Sequence, residues 1–182
     1  KKNPKKEFFY NLKLIFYSKS KLVSLAKFVQ PKKMFNEKYA HRTSGSKTMS
    51  LAYSDLAKSI KNKFKPKSIL EIGSNDGVFI KHFKKIKNLG VEPCKNLARI
   101  TTKIGIKTYD EFWTFKTAKK IVNQIGKIEV IYSANTISHI HNLNETFKAI
   151  NYVLGEIIEM AMDWEKANPD VDKSKTAAII DE

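Results

Sequence analysis

The chain has 182 residues, 42% of them hydrophobic, a single cysteine and a formal net charge of +16. This composition predicts one main domain in a cytoplasmic protein with no membrane partner and no metal site. No stretch is apolar enough for a membrane span, no signal-peptide pattern occurs, and Cys94 alone forms neither an internal disulfide nor a multi-cysteine zinc site. The positive charge would suit a nucleic-acid partner. However, nearly all of the excess is lysine spread along the chain, and arginine occurs only at Arg42 and Arg99. This distribution favours a solvated lysine surface over a specific nucleic-acid site.

The first fifty residues are predicted to form an N-terminal arm and the segment that leads into the main domain. Residues 1–50 mix short apolar runs such as NLKLIFY with polar breaks, and the densest lysine run, KKNPKK, opens the chain. From Leu51 to Phe64 the apolar positions approximate helical spacing, and Pro66 marks the end of that helix. The main domain is therefore predicted to begin near residue 51.

Strands and helices are predicted to alternate downstream of Pro66. In chain order we predict a strand at 68–72, an amphipathic first helix within 77–86, a strand at 89–92, a helix at 95–104, a strand at 106–109, a helix at 115–125, a strand at 128–134 and a helix that begins near Asn144. Strands separated by single helices are parallel and joined by right-handed crossovers. The pattern therefore predicts an α/β fold with an open, Rossmann-like sheet and a ligand at the carboxyl ends of its strands.

The loop after the first of these strands has the composition of a nucleotide-binding corner. In SILEIGSNDGVF, Glu71, Gly73, Asn75 and Gly77 follow one another at every second position. Glycine lets the backbone turn sharply and a ligand approach closely, and asparagine tolerates a left-handed conformation. Glu92 ends the next strand, where an acidic side chain commonly bonds the two hydroxyls of a ribose. These features together favour a ligand site over a purely structural turn.

The charge of this corner decides which nucleotide it suits. A dinucleotide would place its pyrophosphate against the loop, where the carboxylates of Glu71 and Asp76 would repel it. The same carboxylates attract a cation. S-adenosylmethionine carries both a sulfonium and an ammonium group and no phosphate, so it is the predicted cofactor.

Several segments resemble one enzyme family. The stretches EIGSNDGVF, GVEPCKNLA, GIKTYDEFW and ANTISHIHNLN, preceded by MFNEKYAHRTSGSKTM, are similar to the S-adenosylmethionine-dependent C-methyltransferases that act on nucleotide-linked deoxysugars. The resemblance covers about residues 14–154 and implies the class I methyltransferase fold. Together with the corner, it implies that the cofactor is bound by Glu71, Gly73, Asn75, Asp76, Gly77, Glu92 and, at the end of the fourth strand, Asn135.

The sequence departs from this family at both ends. Members carry an N-terminal zinc module that ends in a C-x-x-C pair, and Tyr17 and Ser20 stand at the matching positions. After NYVLG the family pattern is lost. We therefore expect a zinc-module remnant without cysteines in residues 1–50, a cofactor-binding domain at 51–156 and a divergent tail at 157–182. The sheet is expected to be incomplete at the C-terminus, with a surface helix favoured over a fifth strand from residue 157.

The chemistry implied by the resemblance requires a base. Methylating a carbon next to a keto group begins with removal of a proton, and histidine is suited to that role near neutral pH. His139 follows the fourth strand, where it is either this base or a loop histidine that caps the next helix. Tyr39, with His41, either lines the substrate pocket or only packs. His141 and His82 are predicted to be exposed.

Two aromatic residues and the overall function leave alternatives. Phe112 and Trp113 either cover the adenine or belong to the core.

The leading hypothesis is an S-adenosylmethionine-dependent methyltransferase whose small-molecule substrate is a nucleotide-linked keto-deoxysugar, methylated on carbon. The alternatives are a methyltransferase for another acceptor, including RNA, and a non-catalytic remnant. The loop after the fourth strand lacks an NPPY-like signature of base-amine methylation, which disfavours RNA.

Overall fold

A parallel sheet forms the centre of the computed structural model, which describes residues 9–155. The strands are β1 (Leu14–Tyr17), β2 (Leu22–Leu25), β3 (Ser68–Ile72), β4 (Lys87–Val91), β5 (Lys107–Tyr109) and β6 (Val130–Ser133). The helices are α1 (Pro31–Met34), α2 (Lys47–Phe64), α3 (Lys95–Lys103), α4 (Phe115–Ile125) and α5 (Leu143–Val153). Within the described residues, no helix is long and apolar enough to cross a membrane.

The central sheet has four parallel strands in the order β5-β4-β3-β6. Leu70 of β3 lies opposite Leu89 of β4 on one side and Ile131 of β6 on the other. The chain winds outward from β3 to β5 and then returns to place β6 on the other side of β3. This reversal of strand order leaves a crevice at the carboxyl ends of β3 and β6. The predicted α/β, Rossmann-like fold is confirmed.

Each face of the sheet packs against its own set of helices. Because side chains alternate along a strand, Leu70 and Ile72 point to one face and Ile69 to the other. The first face forms a core with α4 and α5, which contribute the fully buried Ile121 and Val153. The second forms a core with α2 and with the loop after β3. The two cores fix β3 between them, so the loop that follows β3 starts from a rigid position.

The first predicted helix of the sheet region is not formed. Within residues 77–86 the structure contains only a short 3₁₀ helix, Ile80–Phe83. Val78, Phe79, Ile80 and Phe83 are all buried, so the apolar residues do not form the single stripe of an amphipathic helix. His82, predicted to be exposed, is half-buried and its Nε2 is buried without a hydrogen-bond partner among the described residues.

The N-terminal segment forms a hairpin before it reaches the main domain. Strands β1 and β2 pair antiparallel, with Tyr17 opposite Leu22 and Ser20 in the turn between them. Helix α2 begins at Lys47, four residues earlier than predicted, because the Ser46 side chain accepts a hydrogen bond from the Met49 amide and caps the helix. The boundary predicted at residue 50 therefore falls inside α2.

The last described residues return to the sheet. Ile128 forms a parallel bridge with Leu154, and its amide donates to the Val153 carbonyl. The chain thus leaves α5 alongside the start of β6. The predicted tail at 157–182, with its surface helix, lies outside the described residues.

Candidate functional site

The loop after β3 adopts the sharp corner that its sequence predicts. Gly73 and Gly77 have φ of 75° and 78°, and Asn75 has φ of 48°, so all are left-handed. The amides of Gly73 and Ser74 both donate to the Val91 carbonyl at the end of β4. These bonds hold the corner against the neighbouring strand.

A cavity of about 840 Å³ opens at this edge of the sheet. This volume is in the range of small-molecule sites. The cavity is lined by Glu71, Glu92 and Glu145, whereas Lys32 is the single lysine or arginine among its lining residues in the described part of the chain. In a protein with a net charge of +16, an acidic cavity favours a cationic ligand.

Glu92 joins the two strand ends beneath the cavity. Its Oε1 accepts a hydrogen bond from the Cys94 amide at 2.8 Å, and its Oε2 accepts one from the Asn75 amide at 2.9 Å. Burial raises the pKa of this carboxyl group, while the bonds from Cys94 and Asn75 lower it. Each carboxylate oxygen has a second lone pair, so the group can still accept from ligand hydroxyls.

Glu71 is a buried acid of the site, as Glu92 is. It is 5% exposed, and its Oε2 accepts a hydrogen bond from the Ile80 amide at 3.2 Å. Burial raises its pKa well above the ordinary value, and the nearby carboxylates of Glu92 and Asp76 raise it further. A cation in the cavity would stabilise the ionised form of Glu71.

The raised pKa of Glu71 makes stability depend on pH. The folded protein retains a proton that the unfolded chain releases above a pH near 4.5, so the free energy of unfolding falls as pH rises from there through the raised pKa. Glu71→Gln keeps an acceptor for the Ile80 amide and is expected to remove this fall, so that the variant gains stability relative to wild type as pH rises. Urea denaturation of both proteins from about pH 4 to about pH 8 measures this difference in the free energy of unfolding.

The matched control is Glu129→Gln. Glu129 is exposed, and its carboxylate also accepts from a backbone amide, that of Lys67. This variant should follow the pH dependence of the wild type. A stability difference between Glu71→Gln and wild type that does not vary with pH would contradict the prediction.

The predicted cofactor residues divide into two groups. Glu71, Gly73, Asn75, Glu92 and Asn135 line the cavity, whereas Asp76 and Gly77 do not. The carboxylate of Asp76 instead accepts hydrogen bonds from the amide and hydroxyl of Ser44. A Cβ atom at Gly77 would lie 2.9 Å from Cγ2 of Thr101, so this glycine permits a close approach to α3.

The predicted base, His139, lies in the loop after β6. His139 ends a 3₁₀ helix, Ile137–His139, that follows β6, and it is exposed and lines the cavity. It does not cap α5, because the Asn142 side chain accepts from the Glu145 amide and occupies that position. The structure thus offers no capping role for His139.

An aromatic wall connects His139 with Tyr39. The ring of Phe35 lies 6.0 Å from that of His139 and 5.6 Å from that of Tyr39, and His41 lies 6.4 Å beyond Tyr39. Burial, followed by the charges of Cys94 and Glu92, raises the pKa of the Tyr39 phenol. Tyr39 and Glu92 both line the cavity. Phe35 lies in the MFNEKYAHRTSGSKTM segment but was not predicted to belong to this wall.

The remaining aromatic candidates have mixed roles. Phe112 is half-buried and lines the cavity. Trp113 also lines it but belongs to the core, where its Nε1 donates to the Thr146 carbonyl at 3.3 Å. His141 is exposed as predicted, and its ring contacts that of Phe28 with centroids 4.0 Å apart.

Comparison with known proteins agrees with the fold. Residues 39–157 match the family described as a methyltransferase domain. C-methyltransferase NovU of Streptomyces niveus is 25% identical over 88 residues, which cover 47% of this chain and 21% of NovU. A SAM-dependent methyltransferase of Anabaena variabilis has 16% identity and a TM-score of 0.50, with 65% of this chain and 52% of that chain covered.

A further solved structure is the plantazolicin methyltransferase BamL in complex with a triazolic desmethylPZN analog and SAH. It has 19% identity and a TM-score of 0.48, and the match covers 60% of this chain and 44% of that one. The chain thus spans about half the length of these solved structures and 21% of NovU. The likeness to the Anabaena protein shows the fold.

Proposed function

The chain belongs to the methyltransferase domain family, for which S-adenosylmethionine is the methyl donor, and we propose that it methylates a carbon atom of a nucleotide-linked keto-deoxysugar. The observation that carries the cofactor half of the proposal is the pair of buried carboxyl groups, Glu71 and Glu92, in a cavity with one lysine. Within residues 9–155 neither acid has an ion-pair partner, which favours a ligand that brings its own positive charge.

The described residues fit this cofactor. Glu92 is placed to accept hydrogen bonds from the ribose hydroxyls, and Glu71 and Glu92 attract the sulfonium and ammonium groups. Gly73 keeps the corner open, and the half-buried Phe112 offers a surface for the adenine. When bound, S-adenosylmethionine supplies the electrophilic methyl group.

The acceptor is proposed from the aromatic side of the cavity. Phe35, Tyr39 and His41 offer ring surfaces for a sugar, and the resemblance of the ANTISHIHNLN and MFNEKYAHRTSGSKTM segments supports a deoxysugar. The relative NovU is named a C-methyltransferase. His139 is proposed to remove the proton from the carbon that is methylated, and Tyr39 to hold the substrate between Phe35 and the Glu92 side of the cavity.

Binding measurements test the cofactor half of this proposal. S-adenosylmethionine and S-adenosylhomocysteine are expected to bind in isothermal titration, and NAD is not. Glu92→Ala is expected to weaken binding by roughly 1–3 kcal/mol, which is about five- to 150-fold, because a charge-assisted hydrogen bond is lost.

The matched control is Asp55→Ala. Asp55 is an exposed acid of α2 that pairs with Lys58 at 2.8 Å and does not line the cavity. This variant should bind like the wild type. Binding of NAD without binding of S-adenosylmethionine would overturn the assignment of the cofactor.

A further inference from the structure

Residues 39–46, here called the latch segment, connect the aromatic wall to the cofactor corner. Tyr39, His41, Thr43 and Ser46 of this segment line the cavity. Its only regular structure is a three-residue 3₁₀ helix, Thr43–Gly45. Contacts with other parts of the chain must therefore hold it in place.

The corner supplies these contacts through side chains. Oδ1 of Asn75 accepts a hydrogen bond from the Thr43 amide at 3.0 Å, and its Nδ2 donates to the His41 carbonyl at 3.4 Å. The Asp76 carboxylate accepts from the amide and the hydroxyl of Ser44. Two adjacent residues of the corner thus bind three residues of the latch segment across 32 residues or more of sequence.

Asn75 also belongs to the floor of the cavity. Its amide donates to Oε2 of Glu92, and its carbonyl accepts from the Thr101 hydroxyl at 3.0 Å. The backbone of Asn75 therefore forms hydrogen bonds with Glu92 and Thr101, whereas its side chain forms hydrogen bonds with the latch segment. The backbone of Asn75 is left-handed, with φ of 48°.

We infer that Asn75 and Asp76 are positioning residues, which fasten the latch segment to the cofactor corner and so fix Tyr39 and His41 on the acceptor side of the cavity. This rests on the proposed function, because that proposal defines the acceptor side. It differs from the sequence-based expectation that both side chains bind the cofactor. Because Asn75 bonds both the latch segment and Glu92, it would hold the aromatic wall in a fixed position relative to the carboxylate that is proposed to bind the ribose.

An arginine-specific protease tests this inference directly. Arg42 and Arg99 are the two arginines of the chain; Arg42 is exposed and precedes Thr43, whereas Arg99 lies in α3. Glycine readily adopts the left-handed φ of Asn75. Asn75→Gly therefore keeps the backbone hydrogen bonds to Glu92 and Thr101 and removes those of the side chain. Cleavage after Arg42 is expected to accelerate roughly tenfold, since about two hydrogen bonds that hold the segment closed are lost.

Other measurements separate positioning from general stability. In Asn75→Gly, cleavage after Arg42 should stay nearly independent of low urea concentrations, as expected for a local opening, whereas cleavage after Arg99 should keep the steep urea dependence of global unfolding. Asn75→Asp, which keeps Oδ1 and tolerates φ above zero, should restore most of the protection of Arg42. The matched control Asn135→Gly makes the same replacement at an asparagine with φ of 53° and should leave Arg42 protected.

Two results would overturn the inference. One is unchanged cleavage after Arg42 in Asn75→Gly, and the other is cleavage after Arg42 that rises with urea as steeply as cleavage after Arg99, which would mean that it requires global unfolding. If S-adenosylhomocysteine fails to bind the wild-type protein, the proposed function fails. The cleavage pattern still decides in that case whether Asn75 fastens the latch segment.

Discussion

Gly73→Ala is expected to destabilise the protein by about 2–5 kcal/mol and to weaken S-adenosylhomocysteine binding by at least about tenfold. A Cβ atom at this position would lie 2.1 Å from Oγ1 and 2.8 Å from Cγ2 of Thr136, and the residue has φ of 75°. Thr136 lies in the loop after β6, between Asn135 and the 3₁₀ helix that carries His139. To relieve the contact, this loop must move away from the corner, which separates the two sides of the cavity.

A matched glycine isolates the contact from the backbone conformation. Gly126, at the end of α4, has φ of 88°, and a Cβ atom added there would meet no other atom within 4 Å. Gly126→Ala should therefore cost only the backbone strain of a positive φ with ψ of −171°, about 1–3 kcal/mol, without loss of cofactor affinity. Urea denaturation and isothermal titration measure both effects.

A double variant tests the assigned cause. Adding Thr136→Ala to Gly73→Ala removes Oγ1 and Cγ2, the atoms at 2.1 and 2.8 Å, and should recover part of the lost affinity. Equal losses of affinity in Gly73→Ala and Gly126→Ala would contradict this account. In that case backbone strain alone, rather than contact between the loops, would explain the effect.

The part of the fold that follows local rules could be predicted from the sequence. Strand β3 was predicted at its observed bounds because a buried apolar run meets a glycine corner, and α4 because its apolar residues recur at helical spacing. Left-handed Asn75 also followed from residue type, since asparagine tolerates φ above zero. These features depend on a few neighbouring residues.

Features that depend on distant contacts could not be predicted. The negative charge of Asp76 indicated a site for a cation. The direction in which the Asp76 carboxylate points, however, depends on its hydrogen bond with Ser44, which lies 32 residues earlier in the chain. Phe35 lies between Tyr39 and His139 only because the N-terminal segment folds back over the loop after β6. For residues 77–86, burial of nearly consecutive apolar residues overrode the helical pattern.

The arrangement of the cavity separates binding from chemistry. The acids that favour a cation, Glu71 and Glu92, belong to the β3 and β4 side, whereas His139 follows β6. A change at His139 should therefore leave cofactor affinity nearly intact. S-adenosylhomocysteine has no methyl group to donate, so proton removal can be measured in its presence without methyl transfer.

His139→Asn is expected to lower proton removal from the acceptor by roughly a hundredfold to ten-thousandfold, the range typical of general bases. His139 lines the cavity, is exposed to an incoming acceptor and is not used to cap α5. The measurement follows deuterium exchange from solvent into a 4-keto deoxysugar nucleotide in the presence of S-adenosylhomocysteine. Both this chain and the longest protein that its reading frame encodes are assayed, because positioning of the sugar alone contributes several kcal/mol.

The control for this experiment is His82→Asn, since His82 does not line the cavity. It should exchange protons like the wild type, and S-adenosylhomocysteine should bind both variants with affinities close to that of the wild type. Exchange that persists unchanged in His139→Asn would remove this residue from the mechanism. The base would then have to be sought along the same aromatic wall, where the ring centroid of Tyr39 lies 5.6 Å from that of Phe35.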